Sequence, residues 1–200
     1  MTTLLQIKSS VFSDYGNSTT LANDFVARWK AAHPDGRVVI RDIGANPPPH
    51  LSADRVQAFF TPPEARTAEQ QAHHAASQEL IDELQGAQVI VLGLPMYNFG
   101  VPSTLKAYFD HLARAGITFR YTATGSEGLV KGKKAYIFAA RGGLYKGTPS
   151  DTQTPYVTIF LNFLGITDIE FVYAEGLNMG DEQKKASLAA ASDAIAAMRF

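Results

Sequence analysis

Nine consecutive residues, Leu94-Pro95-Met96-Tyr97-Asn98-Phe99-Gly100-Val101-Pro102, put two aromatic rings, a side-chain amide and two prolines into one short connection. The apolar run ahead of it reads as a buried strand, and Ser103 to Arg114 behind it reads as a helix. Tyr97 and Phe99 offer flat apolar faces, while Asn98 and the backbone amides offer hydrogen bonds. That set suits a flat heteroaromatic ring. A rigid turn with its aromatics packed on the core would use the same residues, so the other loops have to decide.

Two further loops carry compatible chemistry. Lys8 to Thr20 crowds hydroxyl and amide side chains around a helix start. Free N–H groups and the helix dipole favour an anion there, and Ser10, Asn17 and Ser18 can add side-chain donors to a phosphate monoester. No Walker lysine motif and no G-x-G-x-x-G follows the first strand, which disfavours a nucleoside triphosphate and a dinucleotide bound in Rossmann fashion. The third loop is Ala139-Ala140-Arg141-Gly142-Gly143-Leu144-Tyr145. Its two glycines allow the backbone close to a ligand, and their amides can bond to a ring oxygen or nitrogen.

Other chemistries find no residues. The chain has no cysteine, which excludes disulfides, thiolate nucleophiles and cysteine metal sites. His33, His50, His73, His74 and His111 lack metal-ligand spacing and read as surface residues, so no metal is assigned. Gly125-Ser126-Glu127-Gly128 does not match a nucleophile elbow, and no Ser-His-Asp set emerges. Acidic residues scatter at helical spacing and read as solvated. No side chain is assigned as catalytic: a bound cofactor has to bring the reactivity.

The elements that must position these loops alternate regularly. Leu4 to Lys8, Arg37 to Asp42, Ala87 to Leu94, Lys134 to Ala140 and Ile169 to Ala174 read as five strands. Ser18 is placed to cap a first helix bearing Leu21, Phe25 and Trp29. Thr67 and Gln70 predict a capping box for a helix running to about Leu84. Further helices are expected around Leu105 to Leu112, over Pro155 to Leu164 with Gly165 as its end, and from Asp181 to about Met198. Alternation of this kind implies an α/β fold with a parallel sheet covered on both faces. The flavodoxin-like three-layer sandwich, with strand order 2-1-3-4-5, puts all three distinctive loops at the carboxyl edge. Gly44 to Arg66, with five prolines, is too long for a routine connector and reads as a lid or excursion.

The 200 residues fit one domain over 1–200. Hydrophobic residues make up 46% and charged residues 18%, as in a globular protein. A net charge of −1 argues against nucleic acid or an anionic membrane as partner. The start of the chain does not read as a signal peptide and no apolar run is long enough to span a membrane, so a cytoplasmic location is expected.

Read together, these segments resemble the FMN-dependent NADH azoreductases, a flavodoxin-like family also described as NADH:quinone oxidoreductases. The resemblance rests on Lys8-Ser9-Ser10 with Asn17-Ser18, on Pro95 to Phe99, on Leu105 to Asp110 and on Arg114 to Tyr121. It continues through Gly128 to Val130, Arg141 to Gly143, Phe163 to Asp168 and Ala174 to Gly176. It implies a homodimer with FMN near the interface, held at its phosphate by Ser10, Gly16, Asn17 and Ser18. Met96, Tyr97, Asn98 and Phe99 would line the ring, and Ala140, Arg141, Gly142 and Gly143 would contact its edge. Phe119, Tyr121, Tyr145 and Phe163 are the expected substrate contacts, with Tyr121 and Phe163 forming an aromatic wall that partly reaches across the dimer. The implied activity is a ping-pong hydride transfer from NADH to quinones, and to azo compounds that are cleaved to amines. An electron carrier of the same fold is the alternative, disfavoured because such carriers are usually strongly acidic. Three positions depart from the family pattern. Gly16 replaces a hydroxyl residue, Ala140 replaces a frequent Ser, and Tyr145 stands where some members have His. Val56 to Thr61 lacks a basic residue after Arg55, so no 2′-phosphate clamp is assigned and NADH is the expected donor.

Overall fold

The computed structural model describes residues 2–199. Its elements run in the order β1 (Thr3–Lys8), α1 (Asn17–Ala32), β2 (Arg37–Asp42), α2 (Ala53–Phe60), α3 (Ala68–Gly86), β3 (Val89–Pro95) and α4 (Ser103–Leu112). There follow β4 (Phe119–Thr122), β5 (Gly125–Gly128), β6 (Lys134–Ala140), α5 (Gln153–Leu164), β7 (Asp168–Ala174) and α6 (Asp181–Ala197). The five long strands form one parallel sheet in the order β2-β1-β3-β6-β7. With the inserted hairpin set aside, that is the expected 2-1-3-4-5.

Central strands in such a sheet are buried on both faces, which explains their continuous apolar runs. Successive side chains alternate between the faces. Leu5, Ile90 and Leu92 join Ile81, Leu105, Phe109 and Leu161 beneath α3, α4 and α5. Leu4 and Val91 point the other way and join Phe25, Trp29, Phe138 and Ile195 beneath α1 and α6. Gly165 ends α5 in the left-handed region at φ 102°, as its position predicted. The capping box of α3 is present, with Thr67 and Gln70 exchanging side-chain-to-backbone bonds.

Three features differ from the sequence reading. The hairpin of β4 and β5 was not expected, because its short, largely exposed strands carry little hydrophobic alternation. Gly44 to Arg66 is no bare loop: it holds α2 and a 3-10 turn at Pro63–Ala65. And Ser18 does not cap α1. The helix begins at Asn17 after Gly16, with no side-chain cap bond, and Ser18 is fully buried in its first turn.

Candidate functional site

The parallel sheet brings the loops after β1, β3, β6 and β7 to one edge, where they enclose a cleft of about 360 Å³. Its floor at one end is the start of α1. The N–H groups of Asn17, Ser18 and Thr19 have no partner among the described residues, as expected for a helix start. The hydroxyls of Ser18 and Thr19 are buried and also unpartnered. Buried polar groups are normally satisfied, so two hydroxyls without a protein partner beside three free N–H groups make a donor-rich helix start suited to an anion. Lys184 adds a positive charge to the same cleft. Gly16 completes the cradle: a Cβ there would lie 2.3 Å from Ser10 Oγ, so no larger residue fits without displacement.

The loop after β3 is held in an unusual backbone. Asn98 and Phe99 both sit in the left-handed region, at φ 50° and 64°. Tyr97 and Gly100 exchange both backbone bonds around them, at 3.1 and 3.0 Å, which makes a type I′ turn. Placing Phe there costs on the order of 1–3 kcal/mol, strain that persists only where the surroundings enforce it. Gln153 supplies part of that enforcement, donating to the carbonyls of Pro95 at 2.8 Å and Gly100 at 3.3 Å. Thr152 donates to the Phe99 carbonyl. The Tyr97 hydroxyl lies 3.3 Å from both Ser10 Oγ and the Val11 N–H, tying this loop to the one after β1.

The loop after β6 is fixed by a buried ion network. Arg141 has a fully buried side chain and donates to Glu175 at 3.1 Å and Asp151 at 2.9 Å. Glu175 also accepts from the N–H groups of Tyr145 and Lys146, at 3.0 and 2.9 Å. Burial pushes the Asp151 carboxyl up, but Arg141 and Thr154 outweigh it and hold it below the ordinary range. Asp151 and Glu175 are therefore not solvated, contrary to the expectation for acidic residues. Nothing in the sequence spacing places them near Arg141. The N–H groups of Gly142 and Gly143 have no partner among the described residues.

A family model described as flavodoxin-like fold matches residues 2–198. This chain belongs to that flavodoxin-like family. It is 63% identical, over 98% of its own length and 97% of the other's, to the FMN-dependent NADH:quinone oxidoreductase of Cellvibrio japonicus strain Ueda107. Among solved structures it is similar to an azoreductase from Bacillus anthracis strain Sterne, with TM-score 0.89, 30% identity and coverage of 98% and 97%. It is likewise similar to an FMN-dependent NADH-azoreductase from Bacillus anthracis strain Ames Ancestor in complex with FMN, with TM-score 0.87, 25% identity and coverage of 98% of each chain.

The flavodoxin-like cleft brings together Ser10, Gly16, Asn17, Ser18, Met96, Tyr97, Ala140, Arg141 and Gly142. Asn98, Phe99, Gly143 and Tyr145 stand beside it. Tyr145 folds against Gly143 and packs edge-on to Phe99, with centroids 5.6 Å apart. Arg141 reaches the cleft, but its charged head turns away to Asp151 and Glu175, and its N–H is bonded to Ala174 O. Phe119, Tyr121 and Phe163 are not at the strand ends of their own chain. They form a separate aromatic cluster, Phe119 lying 4.3 Å from Phe163 and 5.4 Å from Tyr121 between centroids.

Sequence reasoning missed several contributors. Leu177, Asn178 and Lys184 enter from the loop after β7 and from α6. The fifth strand ends at the same edge, so topology was the signal for them. Exposed Phe12 and Tyr15, at the mouth, were signalled only by their place within the hydroxyl-rich loop. One histidine, His111, was misjudged as a surface residue. His111 is buried, its Nε2–H donating to Pro49 O at 2.8 Å. His73 has potential ligand atoms of Asp54 and Glu69 close by, all within 4.8 Å of one another. At 3.3 Å from Asp54 Oδ2, His73 Nε2 forms an ion pair with it when protonated.

Proposed function

We propose that this protein is an FMN-dependent oxidoreductase that passes electrons from NADH to quinones and azo compounds, and that residues 1–200 are one flavodoxin-like domain. What carries the reading is that a chain 63% identical to a protein named for that activity has a strand-end cleft whose helix start presents buried hydroxyls without a protein partner. The residues fit FMN on structural grounds: three free N–H groups and two buried hydroxyls without a protein partner, beside a glycine that lets Ser10 pack against the helix start. Asn17, Ser18 and Thr19 would hold the phosphate, with Gly16 and Ser10 shaping the cradle. Met96, Tyr97, Asn98 and Phe99 would flank the ring, and the Gly142 and Gly143 N–H groups would meet its polar edge.

FMN, when bound, supplies the reversible two-electron chemistry that no side chain here provides. The protein's share is positioning. The type I′ turn at Asn98-Phe99 fixes two aromatic faces before any ligand arrives, which reduces the ordering cost of a stacked complex. Unpaired N–H groups at Gly142 and Gly143 stand ready for negative charge without reorganisation. Arg141 acts through the loop: paired to Asp151 and Glu175, it holds those amides in place.

The protein is further proposed to be a homodimer. α5 packs Val157, Leu161 and Leu164 into the core yet leaves Ile159 exposed at 68% and Tyr156, Phe160 and Phe163 only partly buried, so its outer side offers apolar surface to a second copy. Phe119, Tyr121 and Phe163, remote from the cleft of their own chain, would then serve the acceptor of the partner. Sedimentation should give twice 21.7 kDa; an active monomer would end the shared-site reading. The activity itself is tested by steady-state NADH consumption with a panel of quinones and azo dyes. Turnover dependent on added FMN is expected. Flavin that stays oxidised under nitrogen with excess NADH would point to a carrier instead.

A further inference from the structure

One polar cluster bridges α2 and α3. Glu69 and His73 stand one turn apart on α3, so their side chains share a face. Asp54 approaches from the first turn of α2. Because it comes from a different helix, sequence spacing gave no signal of the set. The Nε2 atom of His73 is buried and has no hydrogen-bond partner among the described residues. Asp54 Oδ2 lies 3.3 Å from it and Glu69 Oε1 lies 3.6 Å from it. Ligand-capable atoms of all three residues fall within 4.8 Å of one another. Neither carboxylate pairs with a lysine or arginine among the described residues.

The separations discriminate between two chemistries. A charge-assisted N–H···O bond closes to about 2.7–2.9 Å, and neither contact does. Two ligands of a tetrahedral metal, each about 2.1 Å from the ion, stand about 3.4 Å apart. A plain ion pair would draw Nε2 onto one acid, whereas here it stands between two. Two carboxylates also balance the charge of a dication. The imidazole favours a first-row transition ion over Mg²⁺ and Ca²⁺, which take oxygen ligands.

We propose that His73, Asp54 and Glu69 form a site for a divalent transition-metal ion of the Zn²⁺ type, which staples α2 to α3. Both acids are exposed, so water completes the coordination. The staple has something to hold, because Ala58 is the one residue of α2 that is fully buried. Phe59, next to it, walls a second cleft of about 470 Å³ together with Arg66, His74, Arg114 and Phe119. A bound ion fixes the position of that wall. The site shares no residue with the strand-end cleft and stands whether or not the flavin assignment does.

The test is calorimetric titration of the FMN-loaded protein, stripped with EDTA and desalted, with ZnCl₂ and with MgCl₂ at neutral pH. One Zn²⁺ should bind per chain, and Mg²⁺ should give no measurable binding. Asp54→Asn and Glu69→Gln, both at exposed positions, should each weaken Zn²⁺ at least about tenfold, since even outer-shell partners of a metal are worth roughly 10–100-fold. His73→Gln should abolish binding, while His74→Gln beside it should leave binding unchanged. Zn²⁺ at about a hundredfold excess over its Kd should raise the wild-type melting temperature by roughly 5–10 °C. It should also slow amide exchange across α2, and do neither in His73→Gln. Should that variant fail to fold, Asp54→Asn combined with Glu69→Gln replaces it. Binding of Mg²⁺ as tight as Zn²⁺, Zn²⁺ binding indifferent to the three ligand substitutions, its loss in His74→Gln, or α2 exchange unmoved by Zn²⁺ would each overturn the proposal.

Discussion

The cleft at the strand ends takes its donors mainly from the backbone, whereas the cleft beside α2 takes its charge from side chains. In the first, free N–H groups at the start of α1 and at Gly142 and Gly143 are consequences of topology. A parallel sheet with this strand order has to bring helix starts and strand-end loops to one edge. In the second, Phe59, Arg66, His74, Arg114 and Phe119 come from five separate segments and meet only through tertiary packing. Recognition by backbone is insensitive to most substitutions, so such a site can persist while sequences diverge. Recognition by side chains can be retuned one residue at a time.

The largest way to break this contrast is through Arg141. It is the exception in the first cleft, a side chain on which the backbone donors depend. Arg141→Met would leave Asp151 and Glu175 buried without their cation. Unfolding in urea should show a loss of about 3–5 kcal/mol, as for other broken buried pairs. A loss below about 1 kcal/mol would mean the loop after β6 holds itself, and the network is incidental.

A middle-sized effect sharpens the contrast by its sign. Ser18→Ala removes a buried hydroxyl that lacks a protein partner. The protein without FMN should be as stable as before, or up to about 1 kcal/mol more so, because an unmet desolvation cost is gone. FMN affinity should fall by roughly 1.5–3 kcal/mol, the worth of a hydrogen bond to a charged group. If stability and affinity fell together, Ser18 would be a structural residue and no phosphate ligand.

The smallest effect separates the two regions by pH. His111 anchors the segment before α2 through Pro49. Burial holds its imidazole below the ordinary range, while the Pro49 bond opposes this more weakly. A second proton would go on Nδ1, which is buried with no acceptor. The unfolded chain therefore takes up a proton near pH 6.5 while the folded one resists. Stability is complete above that pH and declines as pH falls through the range down to the lowered folded value. Melting temperature should drop between pH 7 and 5 in the wild type and drop less in His111→Gln. An identical pH profile in both would remove His111 as the cause.

Legibility in the sequence follows the same division. The five long strands and the edge at which three loops meet were readable, because continuous apolar runs and regular alternation determine them locally. Asn17 and Ser18 were readable as part of a helix start at that edge, although Ser18 was expected to cap α1 and does not: a hydroxyl at a helix start signals capping and ligand binding alike. Asp151 and Glu175 were not readable as partners of Arg141, 10 and 34 residues away in sequence. Nor was His111, since burial of a lone histidine depends on a carbonyl contributed 62 residues earlier. The hairpin of β4 and β5 escaped because its stability comes from packing of Phe119 and from Gly128 lying against Gly165, and not from pattern.

The most direct test of the central claim compares FMN with riboflavin, which has the same ring and no phosphate. Equilibrium titration, followed by flavin fluorescence, is run on the wild type and on Asn17→Ala combined with Ser18→Ala. If the start of α1 is the phosphate seat, the wild type should prefer FMN by about 100-fold or more, the scale of two charge-assisted bonds. The double variant should lose most of that preference while binding riboflavin as before. Equal affinities for FMN and riboflavin in the wild type, or an undiminished FMN preference in the double variant, would contradict the account.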